Sequence, residues 1–178
     1  MNEPTKPRSE DAFAQLIADH RAVEALFAAF RPVGEADEEA RFALVKRACE
    51  QLTVHTMIEE ELLYPAAREA LPELGLKLDE ALVEHYLVKS LVHRYTTLTP
   101  SQPGYDGTFR VLMELVRHHV EEEEEELFPQ LRKSGLDAAA LGRRIAARKA
   151  ELDAKLDAAG VRNTGDRTLT LSREDFPL

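Results

Sequence analysis

HTMIEEELLYP at 55–65 and HVEEEEEELFP at 119–129 are near copies of each other, and their reading decides the fold. In both, a glutamate follows a histidine by four residues, and a proline follows it by ten, after Leu-Tyr or Leu-Phe. At an offset of 64 residues His55 matches His119, Glu59 matches Glu123, Tyr64 matches Phe128 and Pro65 matches Pro129. A second pair, DHRAVEAL at 19–26 and EHYLVKSL at 84–91, repeats at an offset of 65 and aligns Asp19 with Glu84 and His20 with His85. The chain is two copies of one unit, a helix with a single histidine followed by a helix with His-x-x-x-Glu.

Outward from these motifs, apolar residues recur at three- and four-residue spacing and no run resembles a buried strand. Ser9, with Glu10 and Asp11, is expected to cap a first helix ending near Phe30. A second helix is expected from about Asp37, with Phe42, Val45, Ala48, Leu52, His55, Glu59 and Leu62 along one stripe. It must kink or restart at Pro65, which lacks a backbone donor. Helices over about 76–98, 106–132 (broken near Pro129 like its twin) and 137–158 follow. The fold class is all-α: an up-down-up-down four-helix bundle over 9–135, with an additional C-terminal helix at 136–159 packed outside it. Residues 1–8 are expected to be a flexible tail and 160–178 an irregular one, where TLTL alone has strand-like alternation.

The bulk numbers exclude several classes. The 178 residues suffice for one domain with a core, and a formal charge of −10 disfavours a nucleic-acid surface. The basic run RRIAARK at 143–149 reads as a solvated helix face. No apolar run reaches a membrane span, and the polar N-terminus lacks a secretory h-region. The single cysteine, Cys49, suits a reducing compartment, so the expected location is cytoplasmic. A protein partner or homodimer is not specified.

Residues four apart on a helix are neighbours on one face, so His55 with Glu59, and His119 with Glu123, project together into the bundle. Burying a carboxylate in an apolar core costs several kcal/mol unless something compensates it. Two carboxylates with His20, His55, His85 and His119 make sense around cations. Mixed imidazole and carboxylate ligation suits iron or manganese, and structural zinc less well. For two octahedral ions, bridging carboxylates, four histidines and an oxo or hydroxo bridge leave two positions open for dioxygen, nitric oxide or peroxide.

These motifs resemble the hemerythrin-like proteins of the HHE cation-binding type over about residues 10–135. The resemblance rests on DH at 19–20, EH at 84–85 and the two long motifs. It implies two non-haem iron ions with His20, His55, His85 and His119 as terminal ligands and Glu59 and Glu123 as bridges. Oxygen-carrying members place another histidine four residues after the one equivalent to His85; here that residue is Lys89, expected to snorkel to the surface. The departure favours redox turnover of peroxide, or sensing, over reversible oxygen storage. Relatives with four histidines and two glutamates are reported to disproportionate peroxide. The functional reading is a di-iron protein that binds a small ligand in sensing, oxidative stress or iron handling. The alternative is a di-iron enzyme with catalase- or peroxidase-like activity, and a third is a structural bundle without metal.

Other residues receive blander readings. Glu121 to Glu126 are mainly a solvated face, yet Glu122 and Glu126 stand where an extra ligand or proton relay would sit. Tyr64 and Phe128 are expected to anchor the core, as are Tyr86 and Tyr95, with a role at the site as the alternative for the latter two. His93 is expected at the surface, and His118 at the surface or just behind a ligand.

Overall fold

The computed structural model describes residues 11–158. The expected tails at 1–8 and 160–178, the Ser9 cap and the TLTL alternation lie outside the described residues. Helix α1 (Ala12–Phe30) is capped by Asp11, whose carboxylate accepts the Ala14 N–H at 2.9 Å. Asp37 caps α2 (Glu38–Ile58) in the same way, through Ala40 N–H at 3.1 Å. After α3 (Tyr64–Ala70) and a short 3-10 turn, α4 (Gly75–Arg94) completes its half of the second hairpin. A loop closing on Gly104, in the left-handed region at φ 90°, leads into α5 (Tyr105–Glu122). The short α6 (Phe128–Lys133) and α7 (Ala138–Ala158) follow, and α7 packs against α1 and α2. The described residues form an all-α bundle without strands, and none of their helices is long and apolar enough to cross a membrane.

The break expected at each proline is placed one turn earlier. Between α2 and α3, residues Glu59–Leu63 form a π-helical segment, and Glu123–Leu127 form its twin between α5 and α6. Tyr64 N–H reaches back five residues to Glu59 O, and Phe128 N–H to Glu123 O. The wider turn takes in one extra residue before each proline enters the first turn of the next α-helix, where its missing N–H costs little. The buried stripe therefore runs His55, Glu59, Leu63, Ala67 in one copy and His119, Glu123, Leu127, Leu131 in the other. This corrects the expected stripe: Leu62 is only half-buried and Glu126 is exposed, paired with Lys77 on the surface.

Two apolar layers fill the bundle. One gathers Phe13, Leu16, Ile58, Leu63, Phe128 and Leu131, with Ile145 and Leu152 contributed by α7. The other gathers Val23, Phe27, Leu52, Val88, Phe109 and Val116 toward the opposite end. Between them lies a buried polar layer of His20, His55, Glu59, His85, His119 and Glu123. Arg41, itself buried, pairs with Asp106 and lies over the Tyr105 ring, tying α2 to the start of α5.

Candidate metal centre

All six residues expected to face the bundle interior meet in this polar layer, each delivered by its own place in the duplicated helices. The single histidines come from the middle of α1 and α4, and the His-Glu pairs from the ends of α2 and α5 where the π segments begin. His20 Nε2 faces His55 Nε2 at 3.1 Å, and His85 Nε2 faces His119 Nε2 at 3.1 Å. Glu59 Oε2 lies 3.2 Å from His55 Nε2, 3.3 Å from His85 Nε2 and 4.0 Å from His119 Nε2. Glu123 reaches His20 Nε2 at 3.4 Å and, with its other oxygen, His119 Nε2 at 3.7 Å. Both carboxylates thus straddle the two histidine pairs.

These spacings are those of donors around cations. Two atoms each ~2.1 Å from an ion and at right angles to one another stand ~3.0 Å apart. Glu59 is 0% exposed and Glu123 2%, and both Glu59 oxygens and Glu123 Oε2 accept no hydrogen bond among the described residues. A buried carboxylate without hydrogen bonds is costly, and a cation removes that cost. The donors divide into two overlapping groups that could each hold an ion: His20, His55, Glu59 and Glu123, and Glu59, His85 and His119. Glu59 belongs to both.

Electrostatics follow from this crowding. Burial pushes the Glu59 carboxyl up, but the charge of His55 and the closeness of the His119, His55 and His85 imidazoles outweigh it and hold it well below the usual range. Burial would lower His55, yet Glu59 and Asp19 drive it up to about 10. Burial also works to lower His119, and Glu123, Glu59 and Glu84 raise it well above the ordinary value. The buried carboxylates thus favour positive charge on His55 and His119.

A carboxylate stands behind every histidine. His20 Nδ1 meets Glu124 Oε1 at 2.8 Å, His85 Nδ1 meets Glu60 Oε1 at 3.0 Å, and His119 Nδ1 meets Glu84 Oε2 at 2.7 Å. Asp19 Oδ2 is farther from His55 Nδ1, at 3.8 Å. A carboxylate that accepts Nδ1–H fixes the tautomer that turns the Nε2 lone pair inward. Sequence reasoning missed these roles: it folded Glu124 into a solvated glutamate face and gave Glu60 no reading. The available signal was the repeat itself, which places an acid before each single histidine and a second glutamate after each inward one.

Three further expectations change. Tyr64 is no simple core anchor: its hydroxyl donates to Glu123 Oε1 at 3.1 Å and stands 3.1 Å from His85 Nε2. Tyr86 is exposed rather than in the core, whereas Tyr95 is buried in the far apolar layer as expected and donates to Tyr105 O; neither touches the site. Lys89 does not run out to bulk water; its ammonium pairs with Glu60 at 2.9 Å, the carboxylate behind His85. Glu122 lies near exposed His118, 3.8 Å away, and outside the central cluster, and His93 is exposed as expected. Cys49 is buried, and burial pushes its thiol up, away from reactivity. A cavity of about 20 Å³ opens against the imidazoles, walled by Val23, Leu52, Val88, Val116 and Val120.

A duplicated His/Glu cluster in a helical bundle defines a cation-binding protein. The chain belongs to the hemerythrin family: the model of the hemerythrin HHE cation binding domain matches residues 11–131. It is 26% identical over 119 residues to a hemerythrin-like protein of Schizosaccharomyces pombe, covering 66% of this chain and 58% of that one. It is 28% identical over 116 residues to a DNA nickase of Nostoc, covering 65% of this chain but 32% of the nickase. The match thus spans less than two thirds of these relatives. The crystal structure of a hemerythrin HHE cation binding domain-containing protein from Mycobacterium kansasii superposes with a TM-score of 0.72 at 25% identity, covering 89% of this chain and 96% of that one.

Proposed function

We propose that the six converging side chains hold two non-haem iron ions, with His20 and His55 serving one, His85 and His119 the other, and Glu59 and Glu123 shared between them. Manganese and zinc fit the donor set less well than iron. The observation that carries this reading is a pair of buried carboxylates at ligand spacing from four imidazoles, with both Glu59 oxygens and Glu123 Oε2 accepting no hydrogen bond among the described residues. Iron bound here would supply reversible one-electron redox chemistry and open coordination positions for a small molecule.

The chain's own residues restrict what that molecule is. A cavity of about 20 Å³ exceeds the ~10–15 Å³ needed for one water-sized occupant, which supports a ligand as small as dioxygen, nitric oxide or peroxide. Its valine and leucine walls keep it apolar, while the Nδ1 carboxylates hold the imidazoles in the ligating tautomer. Binding of such a ligand, in sensing or in the handling of iron and oxidative stress, is the function we assign. A protein partner or a second copy is the proposed relay of a sensed signal. The net charge of −10 supports no nucleic-acid role for this domain, and a cytoplasmic setting fits the lone buried cysteine.

Peroxide breakdown is favoured as a second reading by Tyr64. Burial, together with Glu123 and Glu59, raises its phenol well above the ordinary value, so it keeps a proton at Oη beside Glu123 Oε1. That proton is placed to be given to a reduced ligand. Adding peroxide to the iron-loaded protein separates the readings: sustained oxygen evolution marks the enzyme, and a stable, reversible visible band marks the binding protein.

A further inference from the structure

The four histidines are backed unequally, and the inequality traces to α7. Asp19 and Glu84 are mates under the pseudo-twofold repeat, and each stands behind a histidine of the neighbouring helix. Glu84 meets His119 Nδ1 at 2.7 Å and, among the described residues, has His118 on its other side at 3.8 Å. Asp19 is held instead by Lys149 of α7 and stops 3.8 Å short of His55 Nδ1. That nitrogen is buried and has no hydrogen-bond partner among the described residues.

Cations sit behind two other carboxylates without this effect. Lys89 binds Glu60 Oε2 at 2.9 Å while Oε1 still takes His85 Nδ1 at 3.0 Å. Arg21 binds Glu124 at 3.0 Å while His20 Nδ1 keeps its 2.8 Å contact. A glutamate has the extra methylene needed to serve both partners; Asp19 does not. α7 is itself firmly seated, by Arg148 on Glu61 at 2.7 and 3.0 Å and by Gln15 donating to Gly142 O at 3.0 Å.

We propose that Lys149 is a positioning residue of the metal centre: by holding Asp19 it keeps that carboxylate off His55, leaving His55 the least firmly oriented of the four imidazoles. The helix beyond the matched family domain thereby sets the strength of one half of the site. The proposal rests on the metal-binding reading above, and α7 becomes the place where a partner could tighten or loosen that half.

The test loads full-length protein with zinc for NMR of the imidazole Nδ1–H resonances, and titrates cobalt(II) for affinity. Wild type is expected to show three strongly hydrogen-bonded Nδ1–H resonances. Lys149→Met, which frees Asp19, and Asp19→Glu, which lengthens it while keeping α7 intact, are each expected to show a fourth. Loss of an outer hydrogen bond of this kind typically changes metal affinity by ~10-fold or more, so both variants should bind cobalt about tenfold tighter at one site. Lys89→Met removes a cation behind a carboxylate that already holds its histidine, and reports the effect of charge alone. Arg148→Met should leave the three resonances unchanged. A Lys149→Met affinity equal to or below that of Lys89→Met, or three resonances in Asp19→Glu, overturns the proposal. Wild type that binds no cobalt overturns instead the reading it rests on.

Discussion

Tyr64 and Phe128 occupy the same place in the two copies, yet only Tyr64 carries a hydroxyl into the centre, 3.1 Å from His85 Nε2 and 3.5 Å from His119 Nε2. Phe128 instead stacks on His20, with ring centroids 6.0 Å apart and planes 9° from parallel. The two halves of the site therefore also differ by this hydroxyl. The His85/His119 half can draw on a phenol, as ligand or proton donor, and the His20/His55 half cannot.

Tyr64→Phe removes that difference. It removes a buried hydroxyl together with its bond to Glu123, so the fold should survive with a loss of about 1 kcal/mol. Cobalt titration should show the two sites drawing closer in affinity, and oxygen evolution from peroxide should fall. Unchanged spectra and unchanged turnover would leave Tyr64 as core packing alone.

Glu59 approaches three imidazoles and Glu123 two, so their loss should differ in degree. Glu59→Ala is expected to lower bound metal to one ion per chain or less, and Glu123→Ala to do so less completely. Far-ultraviolet circular dichroism should stay largely helical in both, because the apolar layers on either side of the polar layer are untouched.

Stability without metal should fall as the pH rises. His55 is raised in the fold to about 10 from 6.5, so its favourable interactions are fully present below pH 6.5 and lost on approaching pH 10. Glu59 has the opposite sign: its lowered value gives a contribution present above 4.5 that disappears as pH falls through the folded value. Metal must displace the imidazole protons, so affinity rises over the window in which the metal-free protein weakens. Thermal melts of metal-free and metal-loaded protein between pH 6.5 and 10 should therefore diverge. Parallel curves would show that His55 does not carry the proton assigned to it.

The six central residues were legible in the sequence because duplication repeats the chemistry: a lone His-x-x-x-Glu is weak, but two at matching offsets force a shared layer. The helices were legible from their apolar period. What periodicity could not show was the π turn. Pro65 and Pro129 announce a break, but the backbone relieves it upstream by widening over Glu59–Leu63 and Glu123–Leu127, which turns Glu126 out to solvent. The place of Tyr64 at the centre was hidden for the same reason, because an α-helical wheel carried through the π segment gives each residue beyond it the wrong face. Glu60 and Glu124 were hidden differently: each lies inside its segment beside an exposed glutamate, Glu61 or Glu125.

Filling the cavity tests the small-ligand reading. Val116→Phe should cost about 1–3 kcal/mol of stability through overpacking and weaken azide binding to iron-loaded protein, with the metal content unchanged. Azide affinity equal to wild type would show that ligands reach the centre from another side.

Metal analysis of protein purified without chelators addresses the central claim most directly, set beside the same measurement on Glu59→Ala. The account predicts two iron ions per wild-type chain and one or none in the variant. Wild-type protein without bound metal that also takes up none when offered iron(II), or a variant that keeps both ions, would contradict it.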